Sequence, residues 1–310
     1  MKWATYVSPT DGAQRVGVVV GDELVGGEPG LSMLDLLRRH GSDLTCAADL
    51  ILRARAESVP LDSVELRAPI PVPPSIRDFM AFENHAVNSN KAIGLELSEV
   101  WYEIPVFYFT NPAAIRGHRE PVAISPGSAM FDYELEVAAV IGRGGGDISV
   151  EEAASHIAGF TIFCDWSARD LQMQEMQIGL GPAKGKDTAT SLGPWLVTPD
   201  ELASARTATG YDLQMTATVN GKPYSSGTWA DLYWSFEQMI SYASRGTTLV
   251  PGDVIGSGTV GTGCIIELSR VHGSDQFPWL EAGDEVVVSI ERLGSVEVTV
   301  AAGRNPLPFR

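Results

Sequence analysis

Three carboxylates near the middle of the chain stand where apolar residues would be expected. Glu134 and Glu136 belong to FDYELEVAAVIG, which has the pattern of a β-strand, and Asp165 ends the apolar run IAGFTIFCD. Because successive strand residues point to opposite faces, Glu134 and Glu136 share one face at roughly 6–7 Å. Two buried like charges at that separation repel each other and lose hydration, so a positive group is expected between them.

Two kinds of positive group could meet this need. Three carboxylates without a nearby histidine or cysteine pair suit a hard cation such as Mg²⁺, Ca²⁺ or Mn²⁺. The alternative is a salt-bridged network in which Arg169 and nearby lysines neutralise the same side chains. Asp165 also has a local interpretation, because Asp165 and Ser167 precede a helical pattern and either could cap that helix.

Composition and charge exclude several classes of function. The chain has 310 residues and a formal net charge of −17, so the basic surface that nucleic acids need is not expected. No apolar run has the length of a membrane span, and the start MKWATYVSPTDG lacks the apolar core of a signal peptide. We therefore predict a cytoplasmic protein. An anionic substrate would need local arginine, lysine or a metal ion for attraction.

The chain divides into two blocks. Residues 1–67 combine strand patterns joined by turn signals with two helical patterns, which predicts a small N-terminal α+β domain. A proline-rich passage opens the second block, 68–310, which we predict to be the catalytic domain. Its many short strand patterns and few helical patterns indicate a β-rich α+β barrel or sandwich.

Two other patterns carry less weight. The segment GSGTVG (256–261) matches a dinucleotide fingerprint, but the run CIIELS that follows alternates like a strand, so we predict a strand and no dinucleotide binding. The cysteines Cys46, Cys164 and Cys264 show no CxxC spacing, and each is predicted to be a small buried apolar residue.

From about residue 70 to 305 the chain resembles the fumarylacetoacetate hydrolase (FAH) family. Four ordered segments carry the resemblance: DYELEVAAVIG, DWSARDLQ, GPAKGKDTATSLGPW and SGTVGTGCIIELS. The resemblance implies an FAH-type mixed β-barrel or β-roll catalytic domain and a homodimer. It also implies that Glu134, Glu136 and Asp165 hold a divalent metal ion, foremost Mg²⁺ and otherwise Ca²⁺ or Mn²⁺. Asp78, in DFMAFENH, is the candidate fourth ligand.

The same resemblance implies a water-activating pair made of His85 and Glu267. A carboxylate that accepts from one imidazole nitrogen fixes the tautomer and raises the basicity of the other nitrogen. Decarboxylating members of the family carry a glutamate three residues after the histidine. Here that position is Asn88, so the hydrolase arrangement fits better.

The family lysine has two candidates in this chain. An ungapped alignment of GPAKGKDTATSLGPW selects Lys186, whereas counting back from GPW selects Lys184. The other positions that the resemblance assigns to substrate contact are Arg169, Gln172, Tyr108 and Thr259. Tyr108 has an alternative interpretation, in which it is only a core aromatic residue of its strand.

Together these residues imply a metal-dependent hydrolase that cleaves a C–C bond in a small anionic β-diketo acid, such as an acylpyruvate or a fumarylacetoacetate-like compound. Met80 replaces a family tyrosine and Met176 a usual aromatic residue, so fumarylacetoacetate itself is not expected. The alternatives are isomerisation, hydration or decarboxylation of a 2-oxo acid on the same scaffold, or a non-catalytic member that binds a small acid.

Overall fold

The structure, a computed structural model, describes residues 1–92 and 94–308 of the chain. Within these residues, no helix has both the length and the apolar character that crossing a membrane requires. The strands are β1 (Lys2–Val7), β2 (Gln14–Val20), β3 (Glu23–Gly26), β4 (Glu57–Pro60), β5 (Glu65–Arg67), β6 (Ile76–Phe79), β7 (Phe107–Phe109), β8 (Ile115–Arg116), β9 (Val122–Ala123), β10 (Phe131–Asp132), β11 (Leu135–Ile141), β12 (Gly145–Gly146), β13 (Ile157–Asp165), β14 (Ser167–Ala168), β15 (Thr190–Val197), β16 (Gln214–Val219), β17 (Lys222–Thr228), β18 (Thr248–Leu249), β19 (Val254–Gly256), β20 (Glu285–Ile290) and β21 (Gly294–Ala301).

Short helices connect these strands. The α-helices are α1 (Met33–His40), α2 (Thr45–Ala54), α3 (Glu83–Ala92), α4 (Val150–Ala153), α5 (Arg169–Met176), α6 (Pro199–Leu202), α7 (Phe236–Ala243) and α8 (Ile265–His272). Single 3₁₀ turns lie at Leu61–Ser63, Glu99–Tyr102, Pro112–Ala114, Ala154–His156, Lys184–Lys186, Ala203–Ala205 and Trp229–Asp231.

The main sheet has the strand order β4-β3-β2-β1-β15-β13-β11-β19-β6-β7. Every residue of β11 and β13 is buried, in keeping with continuous apolar runs that are covered on both faces. Strand β11 pairs antiparallel with β13 and β19, and β19 pairs parallel with β6. These pairings place β13 next to β11 on one side and β6 two positions from β11 on the other side.

A second sheet has the order β17-β16-β20-β21-β9 and packs against the first. Burial alternates along β16 and β20, as expected when one face of a sheet meets a core. One apolar cluster includes Phe160 of the main sheet and Val288 of the second. The β-rich α+β class is therefore as predicted. Among the described residues, the pairing runs from β4 to β7 as an open path and does not close into the predicted barrel.

The first 67 residues extend the main sheet. Helix α1 begins with a capping box, in which Ser32 Oγ accepts from the Asp35 N–H and the Asp35 carboxylate accepts from the Ser32 N–H. The helix ends at His40, and Gly41 is its C-cap. Strand β1 pairs with β15, with Trp3 opposite Leu196. The division at residue 67 stays a prediction.

Two sequence interpretations are wrong. The run CIIELS is not a strand, because α8 spans Ile265–His272. Ile265 and Leu268 are buried on one helix face, and a spacing of three is compatible with a helix as well as with a short apolar strand. Cys46 is exposed, because α2 buries the face that carries Ala47, Ala48 and Ile51.

The capping interpretation of Asp165 and Ser167 is also wrong. The N-cap of α5 is Ala168, which has no side-chain cap hydrogen bond. Strand β14 intervenes between β13 and α5, and its pairing with β10 holds Ser167 in the small sheet. Asp165 therefore does not cap α5, and its side chain pairs with Lys186 instead.

Candidate active site

Four carboxylates converge where β6, β11 and β13 approach one another. Asp78 lies in β6, Glu136 in β11 and Asp165 at the end of β13, while Glu134 directly precedes β11. All four side chains are buried. Oxygen atoms of Asp78, Glu134 and Asp165 lie within 4.8 Å of one another. The strand order thus brings together residues that are up to 87 positions apart (165 − 78).

The glycines of segment 256–261 let a strand and a loop pass close to these carboxylates. A Cβ atom at Gly256 would lie 2.5 Å from Asp78 Oδ1. At Gly258, whose φ is +77°, a Cβ atom would lie 2.3 Å from the Phe79 carbonyl oxygen. The Gly258 N–H donates to Asp78 Oδ1 at 3.2 Å and to Glu136 Oε2 at 3.0 Å. Close packing against β6 therefore accounts for the dinucleotide-like pattern.

Two buried cations stand among the carboxylates. The Lys186 ammonium contacts Glu134 and lies 2.9 Å from Asp165 Oδ2. Arg169 donates from Nη2 to Glu134 Oε1 and from Nε to Asp132 Oδ2, both at 2.8 Å. Arg169 is therefore already neutralised by two carboxylates, and its attraction for a substrate anion is weaker than the sequence led us to expect.

The two cations stabilise the charged form of some carboxylates more than others, so the pKa values of the carboxylates differ. Burial and the charge of Asp165 raise the pKa of Asp78 to about 7. Burial and the charge of Asp78 raise the pKa of Glu136 well above its usual range. Burial opposes ionisation of Glu134, but the charges of Lys186 and Arg169 lower its pKa. Glu134 is thus firmly ionised, whereas Asp78 and Glu136 hold protons more readily than free carboxyls do.

A divalent cation fits this arrangement in charge and in ligand type. Asp165 Oδ1 is buried and has no hydrogen-bond partner among the described residues, and such an acceptor is unusual in a folded interior. Asp78, Glu134, Glu136 and Asp165 all offer oxygen ligands, which Mg²⁺, Ca²⁺ and Mn²⁺ prefer. The salt-bridged network that the sequence offered as an alternative forms in part, since Arg169 and Lys186 pair with Glu134. Glu136 has no ion pair in the described part of the chain, so the network does not neutralise it.

His85 and Glu267 form a buried pair on facing helices. His85 lies in α3 and Glu267 in the first turn of α8, and His85 Nδ1 is 2.8 Å from Glu267 Oε2. Asn88 Nδ2 donates to Glu267 Oε1 at 3.0 Å. Although burial opposes ionisation of Glu267, its contacts with His85 and Asn88 lower its pKa. An ionised Glu267 accepts a hydrogen bond from the Nδ1–H of His85. The unprotonated nitrogen of the neutral ring is then Nε2.

The other residues selected from the sequence divide between the pocket and the surface. The Tyr108 hydroxyl lies 2.8 Å from Asp78 Oδ2 and also contacts Asp165, so this tyrosine is not merely a core aromatic. Thr259 Oγ1 lies 3.5 Å from Glu136 Oε1. Lys186 is buried, whereas Lys184 is exposed and pairs with Asp187. The geometry therefore favours Lys186 over Lys184.

A cavity of about 440 Å³ connects the carboxylates with the His85–Glu267 pair. Its size suits a small organic acid. Its wall includes both methionines that depart from the family pattern and all of the predicted site residues except Asp165 and Lys184. The chemistry-bearing residues that line it are Asp78, Met80, His85, Tyr108, Glu134, Glu136, Arg169, Gln172, Met176, Lys186, Thr259, Glu267 and Arg270.

Sequence reasoning missed three residues of this site. Asn88 holds Glu267, and Arg270 lines the cavity without an ion pair among the described residues. Asp132 joins Arg169 to the N-terminus of α8, because it accepts from the backbone N–H groups of residues 265 and 266. The spacing of three between Glu267 and Arg270 was the available signal for Arg270, but the strand interpretation of CIIELS concealed it.

Comparison with known proteins agrees with the fold. Residues 75–301 match the model of the fumarylacetoacetate (FAA) hydrolase C-terminal domain. The chain belongs to this family. Its members among the curated relatives are enzymes that include hydrolases and tautomerases. Catalysis by hydrolysis or by tautomerisation is thus within the family's range.

Two relatives illustrate that range. A 2,4-didehydro-3-deoxy-L-rhamnonate hydrolase from Sphingomonas sp. (strain SKA58) is 31% identical over 95% of this chain and 94% of its own length. The oxaloacetate tautomerase YisK of Bacillus subtilis (strain 168) is also 31% identical, over 76% of this chain and 73% of its own length.

Solved structures of FAH-family proteins share the fold. A fumarylacetoacetate hydrolase from psychrophilic Exiguobacterium antarcticum superposes with a TM-score of 0.75 at 28% identity, covering 97% of this chain and 99% of that one. A maleylpyruvate hydrolase from Sphingobium sp. SYK-6 superposes with a TM-score of 0.71 at 24% identity, covering 98% and 100%. That maleylpyruvate hydrolase structure contains manganese(II) and pyruvate.

Proposed function

We propose that this FAH-family protein is a metal-dependent hydrolase that cleaves a C–C bond in a small β-diketo acid, such as an acylpyruvate. The observation that carries the proposal is the 2.8 Å contact between His85 Nδ1 and Glu267 Oε2 at the wall of the cavity that also holds the carboxylates. An isomerase or tautomerase has no need of a base for water, whereas a hydrolase does.

In this proposal the metal ligands are Asp78, Glu134, Glu136 and Asp165. Mg²⁺ is the favoured ion, and Ca²⁺ and Mn²⁺ also suit an all-carboxylate set. The bound ion would supply Lewis-acid polarisation of a substrate carbonyl. The Tyr108 hydroxyl contacts both Asp78 and Asp165 and donates its single proton to one of them at a time.

The chain's own residues account for the proton transfers. Glu267 holds the Nδ1–H of His85, so Nε2 accepts a proton from water, and the hydroxide attacks the substrate carbonyl carbon. The C–C bond then breaks, its electron pair stays on the departing keto-acid fragment as an enolate, and His85 Nε2–H returns the proton to that carbon. Lys186, together with Gln172 at the cavity wall, stabilises the negative charge that develops.

The second candidate is tautomerisation or isomerisation of a 2-oxo acid, with decarboxylation or hydration as its variants. The oxaloacetate tautomerase among the relatives supports it. These reactions use the same enolate, and tautomerisation, isomerisation and decarboxylation consume no water; hydration adds water but breaks no C–C bond. The third candidate is a non-catalytic protein that binds a small acid. This function would not account for the buried His85–Glu267 pair.

One assay separates these candidates. Simple acylpyruvates and oxaloacetate are followed with Mg²⁺, with EDTA, and with His85→Ala, using His40→Ala at the end of α1 as the control. We expect acylpyruvate cleavage that needs the metal, incorporates ¹⁸O from labelled water into the acid product, and is lost only in His85→Ala. Tautomerisation that survives His85→Ala would replace the proposal with the second candidate. Binding of pyruvate without turnover of either substrate would favour the third.

A homodimer is part of the proposal. Ile178 and Leu180, which follow α5, are 78% and 85% exposed in the single chain, as expected for apolar side chains that a second copy covers. Light scattering of the purified protein measures the mass. A monomer at micromolar concentration would contradict this part of the proposal.

A further inference from the structure

We propose that His85, Cys264 and Glu267 form a second metal site, suited to a borderline-soft cation such as Zn²⁺, in which the cation replaces the proton shared by His85 and Glu267. A ligand atom of each of these three residues lies within 4.8 Å of the other two, and all three side chains are buried. Zinc binding does not depend on the proposed function, whereas the inhibition described below does.

The two clusters in this cavity differ in ligand chemistry. The four carboxylates offer oxygen only, which suits hard cations. The second cluster offers an imidazole nitrogen, a sulfur and one carboxylate, which is a mixed set typical of Zn²⁺ and of Co²⁺ as its substitute. A cation of intermediate softness is therefore expected to select the second cluster when Mg²⁺ fills the first.

One ligand distance already matches a tetrahedral cation, and a second needs a small adjustment. Zinc bonds of the usual length keep sulfur, nitrogen and oxygen ligands roughly 3.4–3.6 Å apart. Cys264 Sγ and Glu267 Oε2 are already 3.5 Å apart. His85 Nδ1 and Glu267 Oε2 are 2.8 Å apart, so they would separate by about 0.6 Å to admit the ion. The ion and the hydrogen bond of the pair thus exclude each other.

The surroundings hold these ligands in place. Cys264 is the N-cap of α8 and Glu267 is its third residue, so one helical turn fixes both. The backbone of Cys264 pairs with Glu134, which ties this turn to the central sheet. Asn88 occupies Glu267 Oε1 and leaves Oε2 for the ion. Such support normally raises metal affinity. His85 and Glu267 line the cavity, which provides the path of entry.

Zinc in this position would block the proposed hydrolysis. An imidazole that binds the ion through Nδ1 carries its remaining proton on Nε2, so it no longer accepts a proton from water. The thiol proton of Cys264 leaves to solvent, while the ring proton of His85 moves from Nδ1 to Nε2 by exchange with water. We expect inhibition by Zn²⁺ that excess Mg²⁺ does not relieve.

The test uses the full-length protein in excess Mg²⁺ and titrates it with Co²⁺ and then Zn²⁺. Wild type and the matched control Cys46→Ser, which removes the exposed cysteine, should show a thiolate-to-cobalt charge-transfer band. Cys264→Ser should lack the band and bind Zn²⁺ at least about tenfold more weakly, because the loss of a ligand costs more than the loss of an outer-shell partner. Zinc affinity is measured by competition with a chromophoric chelator.

Several results would overturn the proposal. One is Co²⁺ binding to wild type without a thiolate band, and another is equal Zn²⁺ affinity in wild type and Cys264→Ser. Complete displacement of Zn²⁺ by Mg²⁺ would assign the ion to the carboxylates instead. If Cys264→Ser fails to fold, ¹⁵N-histidine spectra of the wild type decide, since zinc must shift the His85 Nδ1 resonance. Failure of the substrate assay leaves these binding results intact.

Discussion

His85 Nδ1 and Glu267 Oε2 lie 2.8 Å apart although 182 positions separate the two residues in the chain. The contact joins α3 to the first turn of α8, and Asn88 completes it from the same face of α3. A neutral histidine in this setting has a defined tautomer, with the basic nitrogen directed away from Glu267.

Glu267→Gln should lower kcat for acylpyruvate cleavage by about 10²–10⁴-fold, the usual contribution of a positioned base. The amide keeps the shape of the side chain but no longer stabilises the imidazolium that forms. Steady-state kinetics measure the loss, and calorimetry should find Mg²⁺ affinity unchanged. Asn88→Ala removes only the partner of Glu267, so it should lower kcat less than Glu267→Gln does. Full activity of Glu267→Gln would remove the pair from the mechanism.

Lys186→Met should destabilise the metal-free protein by about 3–5 kcal/mol, because Glu134 and Asp165 lose their shared buried cation. Urea unfolding with EDTA measures this change. Added Mg²⁺ should restore more stability to the mutant than to wild type. Lys184→Met is the matched control, and the loss of its exposed pair with Asp187 should cost less than about 1 kcal/mol. Equal effects of the two substitutions would contradict the assignment of Lys186 to the pocket.

Arg270→Ala should raise KM for acylpyruvates that carry a second carboxylate by up to about tenfold, equivalent to about 1.4 kcal/mol of binding. Arg270 is exposed at the cavity wall and has no ion pair among the described residues, so its charge is available to the far end of a substrate. Short monocarboxylic acylpyruvates should be unaffected. Arg38→Ala on α1 controls for the loss of one positive charge. An equal rise for both substrate lengths would exclude this role.

Glu57 should make the protein sensitive to acid. Its carboxylate accepts hydrogen bonds from Ser8 at 2.5 Å and Tyr6 at 2.6 Å. Burial opposes ionisation of Glu57, but these bonds lower its pKa below the usual value. The stabilisation is therefore complete above the unfolded pKa of about 4.3 and is lost as the pH falls through the folded pKa.

Urea midpoints at about pH 6 and about pH 3 test this dependence. From the higher pH to the lower, the urea midpoint of wild type should decrease more than the urea midpoint of Glu57→Gln. Glu23→Gln, which alters an exposed pair with Arg55, should behave like wild type. Parallel curves for wild type and Glu57→Gln would contradict the prediction.

The sequence predicted the central strands and three of the buried carboxylates because both rest on local signals. Continuous apolar runs specify β11 and β13, and charged residues inside such runs mark Glu134, Glu136 and Asp165 as exceptional. Resemblance to the family added Asp78 and the His85–Glu267 pair, whose members are too far apart in sequence for spacing to connect them.

Other features could not be read from the sequence because they depend on which elements meet in three dimensions. Arg169 was assigned to substrate contact, but Asp132 of β10 and Glu134, just before β11, both pair with it. The helix at 265–272 has an apolar spacing that a short strand would share, and only its packing against α3 distinguishes the two. Arg270 was hidden by the same ambiguity.

The placement of Asp78, Glu136 and Asp165 on three different strands also bears on the order of folding. Asp78, Glu136 and Asp165 meet only after β19 has paired with both β6 and β11, and β11 with β13. Long-range pairings of this kind form late, since the connecting chain must first lose its freedom. A nascent or partly unfolded chain therefore presents no complete ligand set. Tight capture of a divalent ion would then report that the central sheet has been assembled.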